Sequence, residues 1–404
     1  MVTMTSSTRR VLPALLAGVL LLGLADSMAG PYLVLFGANR VQLSPFEIGL
    51  FVSVNAVSGI VISTVLGRRY DRRPGRGPAL VAVAIPVVGY LLLPTTRRYP
   101  VLLVIAAALL SFGTAAFPQL FTLARGHLSG AAATRGTPAL RSAWSLAWAV
   151  GPLLGAALLA WRGYAGLFLA TAAAFALVAV PLLLLGRTHA APAARSTAAP
   201  GPWPLRPVLS FALFHVAMFA GSVVLPLYVT KVLGRSAGDV GLLFSVCAIA
   251  EIPAALALLL VPDRVRKYRL ILGGLALFVI YFALIAGTGS MAVLIAAQVA
   301  RGVAIAVVSA LGITYFQDLM PQAPGRATTL YANTTTAGLL VSGVLAGSAA
   351  QLLGYRAALV LCGALAAAAA VLLAASGREN RMTATATGPR ARRAPRLRDA
   401  SRRR

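Results

Sequence analysis

"IGLFVSVNAVSGIVISTVLGRRYDRR", residues 48–73, and "VGLLFSVCAIAEIPAALALLLVPDRVRK", residues 240–267, are two versions of one stretch. At an offset of 192 residues (241 minus 49), several residues of the first stretch fall on identical residues of the second. The matched pairs are Gly49 and Gly241, Ser53 and Ser245, Val54 and Val246, Asp71 and Asp263, and Arg72 and Arg264. A further pair, Gly163-Tyr164 and Gly354-Tyr355, matches at an offset of 191 (354 minus 163). The sequence therefore predicts two similar halves in one chain.

The composition is that of an integral membrane protein. Of the 404 residues, 59% are hydrophobic and only 11% are charged, whereas a water-soluble protein carries about 25% charged residues. A run of about 20 apolar residues crosses the hydrocarbon core of a bilayer as a helix. Twelve such runs occur, at approximately 11–36, 46–67, 79–95, 101–124, 138–160, 164–186, 208–232, 240–261, 270–287, 291–315, 328–350 and 355–375. We therefore expect an all-α membrane protein with 12 transmembrane helices in two six-helix repeats.

The runs divide the chain into four parts. We expect an N-terminal six-helix half over 1–186, a cytoplasmic linker over 187–207, a C-terminal half over 208–375 and a basic, disordered cytoplasmic tail over 376–404. The linker is rich in Pro, Ala and Ser, a composition typical of spacers. The tail is too polar and too basic to fold alone. We expect it to contact anionic lipid rather than nucleic acid.

The net charge of +27 comes almost wholly from arginine, and the arginines cluster between the apolar runs. With a cytoplasmic N-terminus, the inner segments hold 18 Arg and Lys residues before the tail is counted, against 7 in the outer segments. Since cytoplasmic loops carry the excess of positive charge, both termini are predicted to be cytoplasmic. The location predicted is the inner membrane of a bacterial cell, with the N-terminal apolar run kept as the first helix.

Polar residues sort the helices into two groups. The third, sixth, ninth and twelfth runs hold no acid, no amide and no interior charge. Each of the other eight holds at least one strongly polar residue: Asp26, Asn55, Gln119, Arg141, His215, Glu251, Gln298 with Arg301, and Asn333. Such groups are costly against lipid but are tolerated around a wet cavity. We therefore predict that every third helix is peripheral and that eight helices line a central path.

The loop "GRRYDRRPGRGPAL", residues 67–80, carries Gly67, Asp71, Arg72, Gly75 and Arg76. With the two halves and the order of peripheral helices, it resembles the major facilitator superfamily. The resemblance implies the major facilitator fold and a charge latch at the cytoplasmic gate. The alternative for the loop is a solvated turn with topogenic arginines.

In the fifth run, "RSAWSLAWAVGPLLGAALL", Gly151-Pro152 and Gly155 resemble the signature of the proton-coupled exporters of that superfamily. Proline removes a backbone hydrogen bond and bends a helix, and glycine permits close packing. The stretch is therefore either a conformational element or a packing kink.

Three more stretches, "FPQLFTLAR" (117–125), "AEIPA" (250–254) and "YFQDLMPQAPGRATTLYANTTTAG" (315–338), together with "RSAWSLAW", are similar to the bacterial sugar efflux transporter family. That resemblance implies a secondary active transporter that exports sugars or glucosides, and we expect proton antiport with alternating access. Two alternatives stay open: a proton-coupled drug exporter of the same superfamily, suggested by Gly151-Pro152 and Asp26, and a non-transporting membrane sensor or scaffold.

Glu251 is the first candidate for proton coupling, with Asp26 and Arg301. A charged carboxylate at the bilayer centre costs about 2.5 to 3.5 kcal/mol, and protonation removes that cost. A transporter that alternately wets and dries Glu251 would bind and release one proton in each cycle. The competing role is a static bridge from Glu251 to Arg301 or Arg141. Asp26 is a second proton site or substrate contact if it lines the cavity, and structural if it pairs with an arginine.

Sugar binding needs hydrogen-bonding side chains and an aromatic face. The candidates for hydrogen bonds are Asn55, Gln298, Asn333 and Thr334, and those for the aromatic face are Trp144 and Trp148, four residues apart on one helix face. The gate candidates, besides the loop residues and Gly151-Pro152, are Gln119, Arg125, Arg141 and Asp318. His215 is predicted to be a packing histidine rather than a proton relay.

The sequence contains no constellation for soluble catalysis, no phosphate loop and no ATPase domain. We therefore expect no enzyme activity, no cofactor and no metal site. The expected partners are a small-molecule substrate, protons and the lipid bilayer. The expected oligomeric state is a monomer.

Overall fold

The computed structural model describes residues 6–128, 130–185, 204–262 and 265–386. Within these ranges the chain forms helices and no strands. They are α1 Ser6–Phe36, α2 Pro45–Arg72, α3 Gly77–Leu92, α4 Tyr99–His127, α5 130–162, α6 164–184, α7 Leu205–Leu227, α8 Ala237–Ala257, α9 Lys267–Gly287, α10 Met291–Leu319, α11 Pro324–Leu353 and α12 Tyr355–Ala386. The predicted linker, apart from its last residues, and the tail beyond Ala386 lie outside the described residues.

α5 and α6 follow each other without a loop. Eleven stretches of the described chain are long and apolar enough to span a membrane, and one of them, Ala139–Leu184, has 46 residues. At about 1.5 Å per residue, a straight helix of that length would exceed twice the bilayer core of about 30 Å. Its backbone breaks at Gly163, where φ is 64°, a value that glycine adopts without steric cost. Divided there, the described part of the chain forms twelve long helices, which is consistent with the twelve spans that the sequence predicts.

The two halves also repeat details beyond the sequence match. α2 and α8 both begin with a capping box, in which the Ser44 and Ser236 side chains accept from the backbone N–H of Glu47 and Asp239. The two carboxylates bond back to the serine N–H groups, at 2.8 and 3.0 Å. α1 and α7 both end in a π-helical turn, Gly37–Val41 and Tyr228–Val232. The duplication therefore extends to helix boundaries.

The halves meet chiefly along two pairs of helices, with smaller contacts of α1 against α7 and α8. α2 packs against α11, and α5 packs against α8. α3 and α6 share an aromatic contact through Tyr90 and Phe175, whose ring centroids are 5.6 Å apart. α9 lies against α10 and α12. This arrangement leaves a space between the halves, enclosed by the helices that carry the strongly polar residues.

Candidate functional site

A cavity of about 600 Å³ lies between the two halves. Its lining residues come from α1, α2, α4 and α5 in one half and from α7, α8, α10 and α11 in the other. α3, α6, α9 and α12 contribute none of the lining residues. The division into eight lining helices and four peripheral helices is therefore the one that the polar residues predict.

Five of the predicted proton and substrate residues line this cavity: Asn55, Trp144, Trp148, Glu251 and Arg301. Gln298, Asn333, Thr334 and Asp26 are not among the lining residues. Ser222 of α7 and Thr336 of α11 line the cavity, and Ser222 had no place among the sequence candidates. Serine is common in membrane helices, so nothing in the sequence sets Ser222 apart from other serines. Its contact with Arg301 does.

One wall of the cavity, formed by the C-terminal half, is charged. Arg301 of α10 is only 5% exposed, and its Nη2 donates to the Ser222 hydroxyl at 2.6 Å. Its Nη1 donates to Gln298 Oε1 at 3.4 Å. The guanidinium carbon also lies 5.3 Å from the Phe244 ring centre and 5.7 Å from that of Tyr281. Gln298, fully buried behind the cavity wall, therefore supports Arg301 and does not face the cavity.

Glu251 of α8 belongs to the same wall and forms no hydrogen bond and no ion pair within 4.0 Å in the described part of the chain. The positive charges of Arg141 and Arg301 act on it from a greater distance. Glycine at 302 brings α10 close to this turn of α8, since a Cβ there would lie 3.1 Å from the backbone nitrogen of Glu251. The static bridge to Arg301 or Arg141 is thus not formed in this structure, and the carboxylate faces the cavity.

The wall of the N-terminal half is neutral and aromatic. The ring centroids of Trp144 and Trp148 are 6.5 Å apart, and Phe117 packs edge-on against Trp144 at 4.4 Å. Two polar atoms of this wall, Asn55 Oδ1 and Trp148 Nε1, are buried and have no hydrogen-bond partner among the described residues. This wall thus offers a ligand aromatic rings, one hydrogen-bond acceptor without a partner and one hydrogen-bond donor without a partner.

Asp26 lies on α1, away from the cavity lining. Its charge acts on Tyr90 of the peripheral helix α3, and it forms no ion pair with an arginine in the described chain. Neither condition set for Asp26 by the sequence, cavity lining or arginine pairing, is therefore met in this structure.

Asn333 and Thr334 of α11 both point elsewhere. Asn333 is exposed, whereas Thr334 is buried against α7, where its Oγ1 lies 3.2 Å from His215 Nδ1. The Thr334 hydroxyl donates to the Tyr331 carbonyl and the His215 Nδ1–H donates to the Phe211 carbonyl, at 2.7 and 2.8 Å.

These bonds assign the proton of His215 to Nδ1, so Nε2 can accept from the Thr335 hydroxyl at 3.2 Å. Both ring nitrogens therefore have partners, and His215 is not among the residues that line the cavity, an arrangement consistent with the predicted packing histidine.

The Gly151-Pro152 stretch packs closely against α1. A Cβ on Gly151 would overlap the Ser27 hydroxyl, and one on Gly155 would overlap Tyr32. The Tyr32 hydroxyl donates to the Pro152 carbonyl at 2.5 Å. These contacts account for the two glycines by packing, since each stands where a larger residue would collide with α1.

The other gate candidates lie at the ends of helices or near them. The predicted loop is shorter than its sequence suggests, because Gly67, Asp71 and Arg72 lie in the last turns of α2 and only Gly75 and Arg76 fall between α2 and α3. Asp71 and Arg72 are exposed, and no atom lies within 4 Å of a Cβ built on Gly67 or Gly75. Arg76 of this loop donates to the Leu183 and Leu185 carbonyls at the end of α6, at 2.6 and 3.1 Å. This contact fastens the loop to its own half.

Of the remaining gate candidates, Asp318 forms an ion pair with Lys267 of α9 at 2.7 Å, and both side chains are exposed. Arg125 and Arg141 are exposed. Gln119 is 3% exposed, and its Oε1 has no partner among the described residues.

Comparison with known proteins identifies relatives over most of the chain. The sequence profile of the Major Facilitator Superfamily matches residues 15–322 and 207–404. A Deinococcus radiodurans protein named "Putative sugar efflux transporter" is 41% identical over 366 residues, which are 87% of this chain and 94% of that protein. Sugar efflux transporter A of Dickeya chrysanthemi is 33% identical over 91% of this chain and 98% of its own length.

Among solved structures, a variant of the nucleoside transporter NupG superposes with a TM-score of 0.78 at 13% identity, over 91% of this chain and 99% of its own. A bacterial homologue of the human lysosomal transporter Spinster, in an inward-facing and occupied conformation, gives 0.74 at 14% identity, over 93% and 98% of the two chains. At these identities the structures establish a shared fold.

Proposed function

Because this chain belongs to the major facilitator superfamily of membrane transport proteins, we propose that it exports sugars or glucosides in exchange for protons by alternating access. It is a multi-pass membrane protein and a transporter, not an enzyme. The substrate class comes from the names of its relatives, which are sugar efflux transporters. The cavity chemistry supports that class and the exchange.

Glu251 carries the proposal of proton exchange. It is a carboxylate on the wall of a transport cavity, and no cation within 4.0 Å in the described chain holds it in the charged form. When the cavity is wet, the charged form is solvated; when the cavity closes, protonation avoids a cost of about 2.5 to 3.5 kcal/mol. Each cycle would therefore bind a proton on one side of the membrane and release it on the other.

One proton per sugar is energetically sufficient. Moving one charge through 100 mV yields about 2.3 kcal/mol, which corresponds to a roughly fiftyfold gradient of a neutral substrate. No ATPase domain is needed for export against such a gradient.

The neutral wall supports a hydroxylated substrate. An unpaired buried polar group costs about 1 to 3 kcal/mol, and Asn55 Oδ1 and Trp148 Nε1 are two such groups on one wall. A hydroxyl group both donates and accepts, so sugar hydroxyls can donate a hydrogen bond to Asn55 Oδ1 and accept one from Trp148 Nε1. The faces of Trp144 and Trp148 suit the C–H side of a sugar ring.

The proposed setting is the inner membrane of a bacterial cell, with both termini in the cytoplasm and one chain as the working unit. In that orientation, the contacts between the halves lie at the outer ends of α2, α5, α8 and α11. The cavity would then be reached from the cytoplasm, where an exporter loads its substrate.

The deciding experiment is counterflow in proteoliposomes with labelled glucosides and, in parallel, labelled hydrophobic cations. A sugar exporter exchanges labelled for unlabelled glucoside. A pH gradient that is acidic on the side where the substrate is released should accelerate its efflux. Preference for the cations would identify a drug exporter instead. A sensor or scaffold would move neither.

A further inference from the structure

The two most extensive contacts between the halves, which we call the α2–α11 seam and the α5–α8 seam, use equivalent residues of α2 and α8. Gly49 of α2 and Gly241 of α8 correspond at the offset of 192, and Gly151 and Gly155 of α5 correspond at the same offset to Gly343 and Gly347 of α11. A Cβ on Gly49 would overlap Gly343, and a Cβ on Gly241 would lie 2.7 Å from the Pro152 carbonyl oxygen. α2 and α8 thus present equivalent glycines to the other half, whereas Gly343 and Gly347 pack against α2 and their counterparts Gly151 and Gly155 pack against α1 of their own half.

The α2–α11 seam is closed by a hydroxyl group. Ser53 is 5% exposed, and its Oγ accepts from the Val344 backbone N–H at 2.9 Å. Its hydroxyl donates to the Leu340 carbonyl at 3.4 Å. Since Leu340 and Val344 are one turn apart, the serine of one half bridges a turn of the other half.

The α5–α8 seam has the same serine without the same partner. Ser245 is the counterpart of Ser53 and is fully buried. The counterpart of Val344 is Pro152 (344 minus 192), which has no backbone N–H to donate. The Pro152 carbonyl already accepts from Tyr32 of its own half.

Ser245 lies one helical turn after Gly241 on the same face of α8, and Gly241 rests on Pro152. Its Oγ has no hydrogen-bond partner among the described residues. A buried hydroxyl that leaves water without finding a partner destabilises the closed arrangement. Ser53 thus makes two hydrogen bonds across its seam, whereas Ser245 makes none among the described residues.

We propose that Pro152 and Ser245 make the α5–α8 seam the weaker of the two, so that it parts first when the cavity opens at this end. Opening lets water reach the Ser245 hydroxyl, whereas opening the α2–α11 seam breaks the bonds of Ser53. The inference rests on the proposed function in one respect, since it takes the cavity to open at either end in turn.

The test measures each seam separately by pulsed electron spin resonance in liposomes. Cys247 and Cys362 are replaced with alanine, and spin labels are placed at exposed positions at the ends of the seams. Trp161→Cys with Arg235→Cys reports the α5–α8 seam, and Gln42→Cys with Leu352→Cys reports the α2–α11 seam. None of these four residues lines the cavity.

Ser245→Ala and Ser53→Ala form a matched pair with opposite expected signs. Ser245→Ala removes a group without a partner, so the open-to-closed ratio of the α5–α8 labels should fall about three- to tenfold. Ser53→Ala removes the bridging hydroxyl, so the ratio for the α2–α11 labels should rise by a similar factor. Pro152→Ala supplies a backbone N–H at the position that corresponds to Val344 and should close the α5–α8 seam as well.

Equal loosening of the two seams by the two serine substitutions would overturn the proposal. So would a wild-type protein in which the α2–α11 labels separate as readily as the α5–α8 labels, or in which neither pair separates. The distances do not depend on the substrate. If the seams behave as expected and glucoside counterflow is absent, the sugar assignment fails and the seam inference stands.

Discussion

The Arg301 guanidinium donates to the Ser222 hydroxyl across 2.6 Å, and this bond joins α10 to α7 at the cavity wall. No carboxylate lies within 4.0 Å of the guanidinium in the described chain. The cation instead donates to two neutral acceptors, Ser222 Oγ and Gln298 Oε1, and lies against two aromatic rings. Glu251, on the same wall, consequently has no cation within 4.0 Å in the described chain, which is the condition that the proposed proton exchange requires.

Substitution of Glu251 with glutamine tests whether this residue carries the proton. The amide has the shape of the protonated acid, so Glu251→Gln should keep the fold and glucoside counterflow while efflux driven by a pH gradient is lost. Both are measured in the same proteoliposomes, with Glu47→Gln, a cap residue outside the cavity, as the control. Undiminished gradient-driven efflux in Glu251→Gln would contradict proton carriage by this residue.

Removal of the Ser222 hydroxyl should destabilise the protein. A hydrogen bond to a charged group contributes about 1.5 to 3 kcal/mol, so Ser222→Ala should lower the free energy of unfolding by about that amount in detergent. Ser145 lines the same cavity and makes no hydrogen bond in the described chain, so Ser145→Ala should change it by less than about 0.5 kcal/mol. Equal effects of the two substitutions would show that the Arg301 contact is not stabilising.

Replacement of Trp148 with phenylalanine separates the ring from its N–H group. Trp148→Phe keeps an aromatic face but removes the unpaired donor, so the affinity for a glucoside should fall about 5- to 150-fold, or about 1 to 3 kcal/mol. Thermal stability should stay the same or rise, because a buried unpaired group is gone. Titration calorimetry and thermal unfolding measure the two quantities.

The control is Trp161→Phe, since Trp161 is 72% exposed and lies outside the cavity. A Trp148→Phe protein that binds glucoside as well as the native protein would exclude this N–H as a substrate contact.

The fold and the helices that line the cavity could be predicted from sequence, because both depend on properties of whole segments. A carboxylate or amide anywhere in a membrane span marks that span as facing away from lipid. The rotation of each helix about its axis, which decides where each side chain points, cannot be predicted in the same way. On α11, Asn333 is exposed, Thr334 faces His215 and Thr336 lines the cavity. Successive residues turn by about 100°, and nothing in the segment's composition fixes the phase.

Two pairs of equivalent glycines also show that sequence does not determine which helix a residue packs against. Gly343 and Gly347 repeat Gly151 and Gly155 at the offset of 192, but the first pair packs against α2 of the other half and the second pair packs against α1 of its own half. Ser222 likewise gained its role from a contact with Arg301, 79 residues away (301 minus 222). Contacts between distant helices depend on the tertiary arrangement, which periodicity and composition do not contain.

Close approach of the two halves should be sensitive to a single methyl group at Gly49. A Cβ there would overlap the Gly343 carbonyl and lie 2.9 Å from the Gly347 Cα, and both are backbone atoms that cannot move away as a side-chain tip can. Gly49→Ala should therefore hold the α2–α11 seam apart and slow counterflow at least tenfold, with the protein still inserted and folded. Gly273→Ala is the matched control, because Gly273 is exposed on α9 with no atom within 4 Å of a Cβ, and alanine is the better helix former by about 0.5 to 1 kcal/mol. That variant should transport normally and unfold at the same or a higher temperature, and equal transport by the two variants would show that closure of this seam does not limit the cycle.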